Sequence, residues 1–218
     1  MSTTQPGGLG RRFAPDERDR NFPMAAAFAP VPTPNSRYWA LSAILDQGRT
    51  SMCVGFSGRQ WLGMSPVRYK QAQPDAPTLY HGAQTLDDWP GEDYEGTSAR
   101  GLMKFCQTLG LVQSYVWAQS VEELCQFVLT TGPALIGSNW HSDMFSPLNG
   151  YVKPTGPVVG GHEYVLYGVN HRTGILSFCN SWGTGFGLKG RFKMTRADFE
   201  QLMLDQGDMV SAVESPVV

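Results

Sequence analysis

The stretch Gln47-Gly-Arg-Thr-Ser-Met-Cys53 runs directly into Val54-Gly-Phe-Ser-Gly-Arg-Gln-Trp-Leu-Gly-Met64, and its reading decides the fold. The apolar run behind Cys53 predicts a helix with the cysteine in its first turn. There, unsatisfied N–H groups and the positive end of the helix dipole favour thiolate over thiol. Six residues upstream, in a glycine-containing turn, Gln47 supplies a side-chain amide. With the backbone N–H of Cys53, that amide forms a clamp for the negative oxygen produced when a thiolate attacks a carbonyl.

A thiolate needs a base, and the base needs an orienting partner. Two downstream segments offer them: Gly160-Gly-His-Glu-Tyr-Val-Leu-Tyr-Gly168 and Cys179-Asn-Ser-Trp-Gly-Thr-Gly-Phe-Gly187. A glutamine six residues ahead of the cysteine, Gly-His at the head of an apolar strand, and then Asn-Ser-Trp-Gly, in that order, resemble the papain-like cysteine peptidases. The resemblance spans about Ser36 to Val213. It implies Cys53 as nucleophile, His162 as base and later general acid, Asn180 as orienter of the imidazole and Gln47 as oxyanion donor. Chemistry agrees: an asparagine oxygen can accept from one ring nitrogen and leave the other facing sulfur, without adding a buried charge. Trp182 is expected to cover the Asn180–His162 bond and keep it dry.

The chain has 218 residues, enough for one large domain or two lobes sharing a cleft. A net charge of −2 with scattered Lys and Arg gives no footprint for nucleic acid and no membrane patch, so neither is expected as a partner. The four cysteines, Cys53, Cys106, Cys125 and Cys179, contain no close pair of the zinc-binding kind, and no metal or organic cofactor is implied. Secreted and lysosomal members of the family carry a disulfide cysteine where this chain has Thr50, which points to a reducing compartment. With no signal-like apolar core at the N-terminus, a cytoplasmic location is expected, export by a route without a cleaved signal staying open.

Residues 1–35, rich in Gly, Pro and Arg, read as an irregular segment, and 36–218 as the catalytic domain. Two readings of the segment stand: a disordered lead-in, or, by the resemblance, a short peptide lying across the cleft, too short for a full helical prodomain. Ser65-Pro66 predicts a second short helix through Tyr69 and Gln71. Pro74 to Glu95 reads as a turn-rich surface excursion containing His81. Thr97 is expected to cap a helix over Ser98–Leu109, with Leu102, Phe105, Cys106 and Leu109 on one face, so Cys106 reads as core. Ser120-Val-Glu-Glu123 is a capping box for a helix that buries Cys125.

From Pro133 the pattern turns to strands: Ala134–Trp140, His162–Val169, Ile175–Asn180, Gly190–Thr195 and Asp208–Val213, with a short helix beginning at Thr195. Helices first and strands later predict an α+β architecture of two lobes, mainly helical over about 36–115 and mainly β over 116–218, with the site at their junction. In the hairpin closed by Asn170–Gly174, residues whose numbers sum to about 342 face each other, placing His162 opposite Asn180. His141, at a strand end, is the rival base; His171 sits in the turn.

The expected activity is that of a cysteine-type endopeptidase acting on a peptide or protein through a thioester. Another acyl transfer on the same fold, or a silent peptide-binding module, are the alternatives. Gly96, Gly161, Glu163 and Trp182 are the candidate substrate-binding residues. By the resemblance Gly96 pairs its backbone with bound peptide. Glu163 either lines the pocket for the second side chain upstream of the cleaved bond, favouring Arg or Lys there, or faces solvent. Val54 replaces a tryptophan common in the family, so packing beneath the helix is expected to differ.

Overall fold

The computed structural model describes residues 7–29, 31–66, 74–87, 89 and 95–214, the side chains of 213 and 214 excepted. Its spine is a seven-stranded antiparallel sheet in which β2 (Val112–Trp117), β7 (Asp208–Glu214), β3 (Ala134–His141), β4 (Val158–Asn170), β5 (Ile175–Cys179) and β6 (Arg191–Thr195) lie side by side. A short β1 (Ser36–Tyr38) also pairs with β4. Alternate side chains of these strands enter two different cores. Ala134, Ile136, Tyr164, Leu166, Leu176 and Phe178 join an aromatic cluster with Trp140 and Phe192, while Leu135, Val165, Cys179 and Val210 face the helices. Strands buried on both faces explain why the sequence there is a nearly continuous apolar run.

The helical lobe is built from α1 (Cys53–Leu62), α2 (Ala76–Gln84) and α3 (Ala99–Thr108). α1 buries eight of its ten residues, including Trp61 and Leu62, because it is wedged between the sheet and the other two helices. Two small residues let it do so: a Cβ on Gly55 would lie 2.3 Å from the Ala76 oxygen, and one on Gly58 2.6 Å from Leu102. Val54 is fully buried in that same packing.

α2 corrects the reading of Pro74–Glu95 as a loop. Asp75 caps the helix by accepting the Thr78 N–H at 2.8 Å, and Pro77 stands in the first turn, where a missing N–H costs nothing. Leu79, Tyr80 and Ala83 then bury one face. His81 is on this helix, exposed, beside Gln84. The helix predicted through Tyr69 and Gln71 lies outside the described residues.

α3 is capped by Ser98 rather than Thr97, the Ser98 hydroxyl accepting the Gly101 N–H. Cys106 is buried as expected, but Leu109 ends the helix exposed. In α4 (Val121–Thr130) Ser120 caps the Glu123 N–H, and Cys125 is core. The Glu123 carboxylate turns away to accept the Gln119 and Ala25 N–H groups, tying the N-terminal segment to this helix. α5 (Arg196–Met203) opens at Thr195.

The N-terminal segment contains 3-10 turns at Glu17–Asn21 and Met24–Ala27. Met24 is fully buried in the aromatic cluster, and Arg100, lying over the Trp117 ring, grips the Asp19 carboxylate and the Ala14 carbonyl.

Candidate active site

Cys53 opens α1, and Glu163 of β4 directs its backbone N–H at the same thiol that the Val54 and Gly10 N–H groups approach. The Ser57 hydroxyl clamps α1 to β4 by donating to the Glu163 carbonyl at 2.8 Å. His162 is the next residue along β4, so strand and helix bring sulfur and imidazole to one junction.

The imidazole Nε2 lies 2.8 Å from Asn180 Oδ1. That oxygen also accepts the Ser181 N–H at 2.8 Å, which fixes it as the carbonyl end of the amide and requires the proton to be on Nε2. Nδ1 has no hydrogen-bond partner among the described residues. Trp182 stacks on the ring at 4.4 Å between centroids and 26° between planes, and Trp140 meets it edge-on at 4.9 Å. Both His162 and Asn180 are fully buried.

The strand register is not the one predicted. Val165 pairs with Cys179 and Leu166 with Phe178, a sum of 344, and a bulge between Leu166 and Gly168 shifts it again toward the turn. His162 and Asn180 are therefore diagonal neighbours that meet beyond the end of the hairpin pairing. His141 makes its ring hydrogen bond elsewhere, its Nδ1 held 2.8 Å from the Gly156 carbonyl. His171 is exposed in the turn.

Gln47 is held from both ends. Its oxygen accepts the Ser181 hydroxyl at 2.7 Å, and Nε2 donates to the Thr50 carbonyl at 2.8 Å and the Gly8 carbonyl at 3.2 Å. The Gly8 carbonyl also accepts from Trp182 Nε1 at 3.2 Å.

Residues 7–12 thus lie along the site itself. The Gly10 and Arg11 N–H groups both donate to the Gly161 carbonyl at 3.0 Å, the Thr97 N–H donates to the Gly10 carbonyl at 3.0 Å, and the Arg12 N–H donates to the Thr97 carbonyl at 2.8 Å. The segment's backbone pairs with Thr97, the residue after Gly96. Gly96 supplies the space: at φ +90°, a Cβ there would sit 2.3 Å from the Gly10 carbonyl oxygen. The segment fits only as glycine at two places, since a Cβ on Gly8 would lie 2.0 Å from the Thr50 oxygen and one on Gly10 1.9 Å from the Ser51 oxygen.

Glu163 does not face solvent. It is fully buried on the helical-lobe side of the sheet, beside its direct partner Gly137 on β3 and, one strand further, Asp208 on β7, which pairs with Gly137. Arg11 enters the same space and pairs with Asp208. Burial, and then the Asp208 carboxylate, push the Glu163 carboxyl well above its ordinary range, and Arg11 pulls it back.

Under this cover the Cys53 thiol and the His162 imidazole are both neutral. Burial pushes the Cys53 thiol up to about 12, Glu163 adds to the rise, and the three backbone N–H groups oppose it. Burial holds the His162 imidazole down at about 4 against the Asn180 hydrogen bond. The helix-start effect inferred from sequence is present but is overcome by desolvation.

Sequence reasoning did not single out Gly8, Gly10, Arg11, Gly137, Ser181 or Asp208. The one available signal for the first three was Gly7-Gly-Leu-Gly-Arg11, a run too poor in side chains to be core yet too apolar to seek water.

No family model matches the chain. It is 31% identical over 182 residues to the cathepsin B-like cysteine proteinase 3 of Caenorhabditis elegans, an alignment covering 81% of this chain and 44% of that protein. The chain spans less than half the length of the curated relatives it matches. Among solved structures it is similar to xylellain, a cysteine protease from Xylella fastidiosa, with a TM-score of 0.73, 16% identity and coverage of 99% of this chain and 100% of that one. The digestive procathepsin L2 proteinase of Tenebrio molitor matches with a TM-score of 0.69 and 17% identity, covering 96% and 79%. The fold is that of the papain-like cysteine peptidases, and over most of its length the chain is similar in sequence to a cathepsin B-like one.

Proposed function

We propose that this chain is a cysteine-type endopeptidase that cleaves peptide bonds through a thioester and rests with residues 7–12 in its own cleft. The observation that carries the reading is the imidazole whose Nε2 is committed to Asn180 while Nδ1 is left without a partner at the junction with Cys53. A ring so oriented can take the thiol proton on Nδ1 as sulfur bonds to the substrate carbonyl carbon. Gln47 Nε2 donates to the oxygen that becomes negative. His162 then passes the proton to the leaving amine as the C–N bond breaks. Water attacks the thioester with His162 as base, releasing the acid and restoring the thiol. The Gly8 carbonyl, held by Gln47 and Trp182, already rests on those donors.

The test is intact-mass labelling with a thiol-directed peptidyl epoxide, run beside hydrolysis of an unfolded protein substrate. The proteins are the full chain, Gly10→Val, whose added side chain must collide with the Ser51 backbone, and Gly10→Val combined with Cys53→Ser. Slow labelling of the full chain, rapid labelling and hydrolysis by Gly10→Val, and loss of both with Cys53→Ser are expected. A folded Gly10→Val protein that neither labels nor hydrolyses overturns the reading.

A further inference from the structure

We propose that the pocket formed by Glu163, Gly137 and Asp208 selects an arginine or lysine side chain of the peptide substrate, and that Arg11 fills it in the resting chain as a built-in occupant. The substrate half of this rests on the peptidase reading above; the pocket itself does not.

Three adjacent strands build the pocket. Gly137 of β3 is the direct partner of Glu163 on β4 and of Asp208 on β7, so the three residues form one row on one face of the sheet. The glycine in the middle makes the hole. A Cβ there would lie 2.3 Å from Asp208 Oδ1, 2.5 Å from Arg11 Nε and 2.8 Å from Glu163 Oε2. Any other residue would fill the space the guanidinium now occupies.

Two carboxyl groups flank one cation. Asp208 binds Arg11, whose side chain is 1% exposed, while both oxygens of the fully buried Glu163, Asp208 Oδ1 and Arg11 Nε have no hydrogen-bond partner among the described residues. A guanidinium carries five N–H donors and an ammonium three, so spare acceptor capacity suits a cation that enters more deeply or in another orientation than Arg11 does. An aliphatic side chain would leave buried carboxyl groups unpaired, at heavy cost. The pocket also lies beside the nucleophile, because Glu163 aims its backbone N–H at the Cys53 thiol. The backbone on either side of Arg11 is held by Gly161 and Thr97, so a peptide pairing with those groups would direct a side chain into the hole.

The experiment uses the full chain carrying Gly10→Val and Arg11→Ala, which clears both cleft and pocket. In the first arm, fluorogenic peptides varied at each position upstream of the cleaved bond are compared. Arg or Lys at one position is expected to raise kcat/KM at least about tenfold over Leu, and Asp208→Asn with Glu163→Gln to bring that ratio near one. Preference for an aliphatic residue, or a basic preference that survives both changes, overturns the proposal. Asp208→Asn alone serves where the combined variant is not folded.

The second arm needs no turnover. Binding of the peptide Gly-Gly-Leu-Gly-Arg-Arg-Phe is measured by calorimetry against the same peptide with Leu for its first Arg, using the cleared chain with Cys53→Ser. Tighter binding of the Arg form by at least about tenfold is expected, and equal or absent binding overturns the pocket. Selective binding without hydrolysis would sink the peptidase reading and leave the pocket standing.

Discussion

The Gly8 carbonyl oxygen accepts a hydrogen bond from Gln47 Nε2 at 3.2 Å, so the amide proposed to hold a developing oxyanion is occupied by a neutral oxygen of the same chain. Gln47 is built to stay there, because Ser181 and Thr50 hold its oxygen and nitrogen at 2.7 and 2.8 Å. A donor fixed in advance stabilises charge without reorganising when that charge appears.

This gives a test that separates the donor from the nucleophile. In the Gly10→Val background, Gln47→Ala is expected to lower kcat by about 10²–10³ with little change in KM. Epoxide labelling of Cys53 passes through no tetrahedral oxyanion, so its rate should change by less than about threefold. Steady-state kinetics and labelling on one preparation check both. Equal losses in the two would show that Gln47 shapes the site rather than the transition state.

What the sequence made legible was local or aligned along one strand. Cys53 at a helix start, the caps at Ser120 and Thr195, and the strands around His162 and Asn180 all follow from neighbours a few residues apart. The register failed at the turn, where Asn170 pairs with Ile175 and the sum is already 345, and the bulge between Leu166 and Gly168, which nothing in the alternation announces, takes back only one of those residues. The α2 helix was hidden because Pro74 and Pro77 look like breakers, although a proline in the first turn is permissive. The acidic pocket was invisible for a different reason: Arg11, Gly137, Glu163 and Asp208 come from four distant stretches, and only the three-strand pairing puts them together.

Removing the segment should have two distinct outcomes depending on where the cut falls. A chain beginning at Ala14 loses the residues in the cleft but keeps Met24 in the core and Ala14 and Asp19 on Arg100, so its Tm should stay close to that of the full chain while labelling speeds up. A chain beginning after Ala29 exposes the Met24 cavity and strands a mostly buried arginine. Met24→Ala alone should cost about 2–5 kcal/mol, and the longer deletion more. Urea unfolding of the three proteins checks this. A longer deletion as stable as the full chain would mean that residues 14–29 contribute no packing.

Gly137→Ala distinguishes occupancy of the pocket from occupancy of the cleft. The methyl would take the place of the Arg11 guanidinium, so the segment loses its anchor and labelling of Cys53 by a small iodoacetamide probe should rise several-fold. The same methyl closes the hole to a substrate side chain, so the preference for Arg or Lys should fall toward none. Faster labelling together with an intact basic preference would place specificity elsewhere.

The charge state of the resting pair can be read from stability. The unfolded His162 takes up a proton as pH falls below about 6.5, whereas burial keeps the folded imidazole neutral down to about 4. Between those values the unfolded chain binds more protons, so stability contributed by this group rises with pH, by up to about 3 kcal/mol across the window. Glu163 acts in the opposite sense, because its raised carboxyl holds a proton in the folded chain that the unfolded chain has already lost above about 4.5. Subtracting the unfolding free energies of His162→Gln, which keeps Glu163, from those of the full chain isolates the histidine. That difference, measured in urea from pH 4.5 to 7.5, should climb and level off near pH 6.5. An imidazolium paired with a Cys53 thiolate would reverse the slope, since a folded ring that keeps its proton above 6.5 loses its advantage as pH rises. A rising curve therefore means that the covered chain stores a neutral ring, and that clearing the cleft must both expose the site and let it ionise.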